Sequence, residues 1–148
     1  MFKGLNIASG GMSAQRARLH VISSNIANAS TTRTEDGGPY KRQEAVFRTT
    51  LPQGWAEAMK DGAPKSAAVD LSLRGVEISE VQEDNVPGPI VFDPGHPDAD
   101  ENGNVELPNV NPVEEMVDMI AASRSFEANA QSFQTLRDMI TRAMDIGR

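Results

Sequence analysis

Residues 113–148 read VEEMVDMIAASRSFEANAQSFQTLRDMITRAMDIGR, and the rest of the chain is arranged around this stretch. Asn111 can cap a helix, Pro112 suits its first turn, and Glu114 falls where a capping box places a carboxylate. Gly147 supplies a stop. Between these marks Met116, Met119, Ser123, Phe126, Ala130, Phe133, Arg137, Ile140 and Met144 step by three and four in strict alternation, the spacing of a coiled-coil seam. At 1.5 Å per residue such a helix runs roughly 50 Å, too long to be covered by a small domain. It requires a long partner.

The opening of the chain has the matching pattern. Leu5, Ala8, Met12, Gln15, Leu19, Ile22, Ile26 and Ala29 keep the same alternation, which predicts a pair of terminal helices. Each helix also carries apolar residues off its seam: Ile7 and Val21 on the first, and Val113, Val117, Ile120, Leu136 and Ile146 on the second. One two-stranded contact buries one stripe, so this surplus is expected to face another molecule. Gly4, Gly10 and Gly11 each cost about 1 kcal/mol relative to alanine inside a helix. They imply either a marginal helix or close backbone approach in a packed assembly.

Every strong breaker lies between the helices. All nine prolines fall from Pro39 to Pro112, and eight of the twelve glycines from Gly37 to Gly103. Within that interval Gln43, Ala45 and Phe47 alternate, and so do Val69, Leu71 and Leu73. Val76 and Ile78 continue in the opposite phase after Gly75, which suggests a bulge or bend there. Ile90–Phe92 and Val105–Leu107 are short strand candidates, and residues 53–64, with Trp55, show no period. The fold class is therefore α+β: N- and C-terminal helices paired as an elongated coiled coil, with a small irregular β module between them. The domain reading is 1–34 with 109–148, and 35–108 as a middle β-rich unit.

With 148 residues, 39% hydrophobic, and five Phe, one Trp and one Tyr, the chain has little material for a large core. The net charge of −7 argues against nucleic acid as a partner. Its distribution is uneven: residues 1–34 hold four bases and no acid, 35–112 six bases and fifteen acids, and 113–148 four and six. An acid-free, arginine-bearing amphipathic start resembles a transit peptide, but a disposable peptide has no reason to match a seam at the other terminus. Ser9-Gly10-Gly11 and Gln15-Arg16 interrupt any secretory signal core, and no run approaches the length that spans a bilayer. The sequence contains no cysteine, so it has neither disulfides nor thiol chemistry.

A search for chemistry returns little. His20 and His96 have no second ligand at helical spacing, and no phosphate loop or catalytic triad pattern stands out. Asp98-Ala99-Asp100-Glu101-Asn102-Gly103 opens like a calcium loop, but its twelfth position is Asn109 rather than Glu, so a polar turn around Asn102-Gly103 is the better reading. Asn28-Ala29-Ser30 fits a glycosylation sequon that the absence of a secretory signal discounts. No catalytic, metal-binding or cofactor-binding residue is assigned, and neither a cofactor nor a small-molecule substrate is expected.

Ser23 to Ala29, Thr31-Thr32-Arg33, Gly37 to Tyr40, His96 to Asp100, Asn109 to Val117 and Ala122 to Asn129 together resemble the bacterial flagellar axial proteins. The Thr-Thr-Arg and Asn-Val-Asn-Pro segments, with the short length, point within them to a proximal rod family. That resemblance implies a non-enzymatic structural subunit, exported through the flagellar type III apparatus without a cleaved signal peptide. It implies a place in the basal-body rod within the periplasmic space, where the terminal helices polymerise, line the export channel and transmit torque. Partners implied are other copies of the chain, other proximal rod proteins, the rod-base adaptor, the distal rod protein and the membrane ring. Asn25, Asn28, Asn111 and Asn129 belong to the motifs, and Asn25, Asn28 and Asn129 are expected to fix register by hydrogen bonds. A different rod component, or a coiled-coil binding module with a helical stalk, is the alternative.

Overall fold

The computed structural model describes residues 2–35, 37–50 and 74–146. Helix α1 spans Phe2–Ala27 and helix α2 spans Pro112–Ile146; between them lie β1 (Gln43–Thr49), β2 (Val76–Glu83), β3 (Ile90–Phe92) and β4 (Asn104–Glu106). The architecture is α+β, two terminal helices flanking a small antiparallel module. The strand expected at Val69–Leu73, the aperiodic stretch around Trp55, the side chain of Ile146 and the stop at Gly147 lie outside the described residues.

The two helices pack antiparallel along most of α1. A Cβ on Gly4 would stand 3.2 Å from Leu136 Cδ1, one on Gly11 would stand 3.0 Å from the Asn129 amide, and Asn25 bonds Glu115 at 3.1 Å. Each step of seven along α1 is answered by a step of seven back along α2, which is heptad register. Small residues make the close approach possible: Ala8 and Ala122 are buried, as is Gly11. An alanine or glycine at these positions lets backbones approach where leucines would hold them apart.

This contact line corrects the seam read from spacing at alternate positions. On α2 it runs Glu115, Met119, Ala122, Phe126, Asn129, Phe133, Leu136 and Ile140, so Met119, Phe126, Phe133 and Ile140 lie on it. Met116, Ser123, Ala130 and Arg137 sit one residue round the helix from it, and Met116 is 53% exposed. On α1 the line runs Gly4, Ala8, Gly11, Gln15, Arg18, Ile22 and Asn25, leaving Leu5, Met12, Leu19 and Ile26 half-buried beside it. The cause is chemical. A polar pair at Asn25 and Glu115 and glycines at the crossing occupy positions that a purely apolar seam would give to larger residues. Leu136, counted as surplus, belongs to the helix contact.

The β module rests on the other side of α1. Strands β1 and β2 form an antiparallel pair whose register shifts where Val46 and Phe47 face Glu80 and Ile78, so Ser79 is the extra residue. The bulge therefore falls at Ser79, not beside Gly75. The start of β2 touches α1, since a Cβ on Gly10 would lie 3.2 Å from the Val76 carbonyl oxygen. Strands β3 and β4 make a second antiparallel pair around buried Val105. In the loop before β4, Asp100 Oδ1 accepts from the Asn102 and Asn104 amides at 2.8 Å each, and Gly103 takes φ +79°. That is a turn closed by its own carboxylate, with Oδ1 committed to two backbone amides.

The close helix approach is testable. Replacing fully buried Ala122 by Leu should cost about 1–3 kcal/mol of unfolding free energy through overpacking, although leucine is a good helix former. Exposed Ala128→Leu should stay within about 0.5 kcal/mol of the parent in the same urea titrations. Equal stabilities would contradict the contact.

Candidate assembly interface

The N-terminal helix, the middle module and the C-terminal helix meet at one side chain. Asn25 is 1% exposed and every hydrogen-bonding capacity of its amide is used. Its Nδ2 donates to the Gln43 carbonyl at 2.8 Å and to Glu115 Oε2 at 3.1 Å. Its Oδ1 accepts from the Gln43 amide at 2.9 Å and from Tyr40 Oη at 3.0 Å. With Gln43 the side-chain amide thus pairs both ways, as a neighbouring strand would.

Glu115, also 1% exposed, completes the knot. Its second oxygen accepts from Arg42 Nε at 2.7 Å. Burial disfavours the Arg42 charge, but the Glu115 bond and attraction offset it, and the guanidinium is held above its ordinary pKa. Arg18 and Asp118 lie 3.5 Å apart beside this group, at the edge of a cleft also lined by Val21, Ile22 and Phe47. With both buried polar residues bonded throughout, the group has no free nucleophile or base and works as a fastening.

The other motif asparagines act locally. Asn28 closes α1, its Nδ2 donating to the Ser24 carbonyl at 2.9 Å while its Oδ1 accepts from Thr31 Oγ1 at 3.2 Å. Asn111 caps α2, its Oδ1 accepting from the Val113 amide at 3.1 Å. Asn129 donates to the Ser125 carbonyl at 3.0 Å and covers Gly11.

Outward faces carry the remaining apolar surface. α1 exposes a stripe of Lys3, Asn6, Ser9, Ser13, Arg16, His20, Ser23 and Ala27, which is polar or small throughout. α2 does the opposite: Val113, Met116, Val117 and Ile120 are all more than half exposed and share one face at i, i+3, i+4 and i+7. At the far end Met139 and Met144 are exposed as well, and in the module Ile90 and Phe92 are 70% exposed. Met144 is bare because α2 runs past the end of α1. Spacing turned Val113, Val117 and Ile120 outward but counted Met116 and Met144 to the seam and passed over Met139, and the hub was hidden because Glu115 reads as an ordinary surface acid in the first turn of α2. Among the described residues, only Ala8, Ala14, Ile22, Val105 and Ala122 are buried hydrophobics. No helix is long and apolar enough to cross a membrane, among the described residues.

Changing one atom tests the hub. Asn25→Asp replaces a donor by a second carboxylate facing Glu115 and the Gln43 carbonyl, and should cost on the order of 3 kcal/mol at pH 7. The new carboxyl has a folded pKa raised by that neighbour, so relative to the parent the deficit should shrink as pH falls through the raised pKa and the acid regains a proton to donate. Chemical denaturation at pH 7 and pH 4 reads both effects. A pH-independent deficit would show that residue 25 does not face Glu115.

Comparison with known proteins agrees with this architecture. Residues 5–33 match the family described as "Flagella basal body rod protein", and 101–146 match "Flagellar basal body rod FlgEFG protein C-terminal", so the matched segments hold the helices and the polar motifs. The flagellar basal-body rod protein FlgC of Borreliella burgdorferi is 43% identical, the alignment covering 99% of this chain and 97% of that one. Those of Bacillus subtilis and Salmonella typhimurium are 34% and 36% identical, covering 99% and 97% of this chain and 98% and 95% of theirs. The chain belongs to the FlgC family of flagellar basal-body rod proteins.

Proposed function

We propose that this rod subunit works by burying the outer faces of its terminal helices against neighbouring subunits, so that torque passes through packed side chains along the shaft. The observation that supports this is the contrast between a thin internal core and four large apolar residues left bare on one face of α2. At about 25 cal/mol per Å² of apolar surface removed from water, covering such a face in every subunit contributes substantially to assembly. Residues 1–34 and 109–148 form the assembling unit in this reading, and 35–108 the module outside it. The helix pair lines the export channel. In this reading Leu5, Ala8, Met12, Leu19, Ile22 and Ile26 on the first helix and Met119, Phe126, Ala130, Phe133 and Ile140 on the second hold together the helix pair on which neighbours pack, and Met116 and Met144 face those neighbours.

Neighbours in this proposal are further copies of the chain, other proximal rod proteins, the rod-base adaptor, the distal rod protein and the membrane ring. The chain reaches the periplasmic rod through the export apparatus without losing a signal peptide. It is a structural part and not an enzyme, a reading supported by the family and by the commitment of buried Asn25 and Glu115 to hydrogen bonds that fasten the fold.

In a strain lacking this chain, the parent sequence should restore swimming and be recovered in purified basal bodies. Ile120→Asp, on the exposed face, should be exported and folded but should give no swimming and at least tenfold less chain in basal bodies. Swimming in the deletion strain, or basal bodies without the parent chain, would overturn the assignment.

A further inference from the structure

Of the nine asparagines in the chain, Asn102 alone is followed by glycine. An asparagine side chain is open to attack by the backbone nitrogen of the next residue, and glycine, with no side chain, hinders that approach least. The other eight precede alanine, valine, isoleucine or proline. In the fold the Asn102-Gly103 pair is held out of reaction. Asn102 is exposed, but the Gly103 amide donates to the Asp100 carbonyl at 3.0 Å, and the Gly103 carbonyl accepts from the Asp93 amide at 2.9 Å. Gly103 is also buried: a Cβ there would stand 3.0 Å from both Phe92 Cε2 and Pro94 Cγ. A base that takes the amide proton must pass those two side chains. The Asp100 carboxylate closes the turn from within through the Asn102 and Asn104 amides. The Asn104 bond above all, and with it the Asn102 bond, outweighs desolvation and holds that carboxyl below its ordinary pKa, so it stays charged at neutral and alkaline pH.

We propose that Asn102 is a deamidation site that the folded turn keeps closed and that opens when the chain, or this turn, unfolds. In the open chain the Gly103 nitrogen bonds to Asn102 Cγ, the Cγ–Nδ2 bond breaks, and ammonia leaves with the Gly103 amide proton. Water then adds to either carbonyl of the resulting succinimide and breaks its bond to the ring nitrogen, which leaves aspartate or isoaspartate at 102. Isoaspartate carries the backbone through the side chain and is one methylene longer. The added length falls between the Asn102 and Asn104 amides, which Asp100 Oδ1 holds together, and just before β4 begins at Asn104. A converted chain therefore loses the turn that seats β4 on β3 around buried Val105. This site is independent of the assembly reading.

The full-length chain is incubated in warm, mildly alkaline buffer, folded and in guanidinium chloride, and is then digested at acidic pH. The peptide containing residue 102 is followed by mass and by isoaspartate content. Conversion there should be at least about tenfold faster in the unfolded chain, and faster in that state than at Asn28 or Asn129, each followed by alanine. Equal rates in the two states, or no preference for residue 102 in the unfolded chain, overturn the proposal. Asp100→Ala removes the carboxylate from both amides; it should raise the folded-state rate at least about threefold and leave the unfolded-state rate unchanged. A folded Asp100→Ala protein that converts at the parent's rate overturns the closure by Asp100. Where that variant does not fold, hydrogen exchange in the parent decides: the Gly103 amide should exchange at least about tenfold more slowly than in the unfolded chain, and unprotected exchange overturns the closure.

Discussion

Burying an amide costs several kilocalories per mole unless each of its donors and acceptors finds a partner, and at Asn25 all four do. Those partners come from two other parts of the chain, the start of β1 with the residues leading into it, and the first turn of α2. A hydrogen-bonded polar group tolerates only small displacements before its bonds fail, whereas apolar side chains can slide past one another. The hub therefore sets where α1 lies along α2 and where β1 meets both. The heptad pairing of Gly4 with Leu136 and of Gly11 with Asn129 follows from that fixed point.

From this register the distribution of apolar surface follows. The helix contact is lined with glycine and alanine, so it is close but buries little area per residue. The larger apolar side chains at the start of α2 are turned outward, and its end projects past α1. A fold of this kind derives little stability from its interior and has much to gain from neighbours. For a rod subunit the division suits the proposed assembly: polar bonds define the shape of the part and leave its larger apolar side chains on the outside.

Much of this was legible in the residues. The capping motif at Asn111 and Pro112, the heptad spacing at both termini and the confinement of proline to the middle foretold two paired helices around a β module. Which residue of each seam pair faces inward was not legible. Met116 and Glu115 both fit a heptad position, and hydrophobicity chose the methionine. What decides for Glu115 is a partner ninety residues away in sequence, Asn25, and a third group, Arg42, whose proximity only the folded chain reveals. Likewise Ser79 carries the bulge because of pairing with β1, which the phase change near Gly75 only approximated.

A density map of the intact basal body, resolved to side chains, tests the central claim most directly. The account predicts that α1 and α2 of each subunit keep their register, with Asn25 on Glu115, while Val113, Val117, Ile120 and Met144 are covered by neighbouring chains. Helices of one subunit separated and paired elsewhere, or those four side chains facing open solvent in the assembled rod, would contradict it.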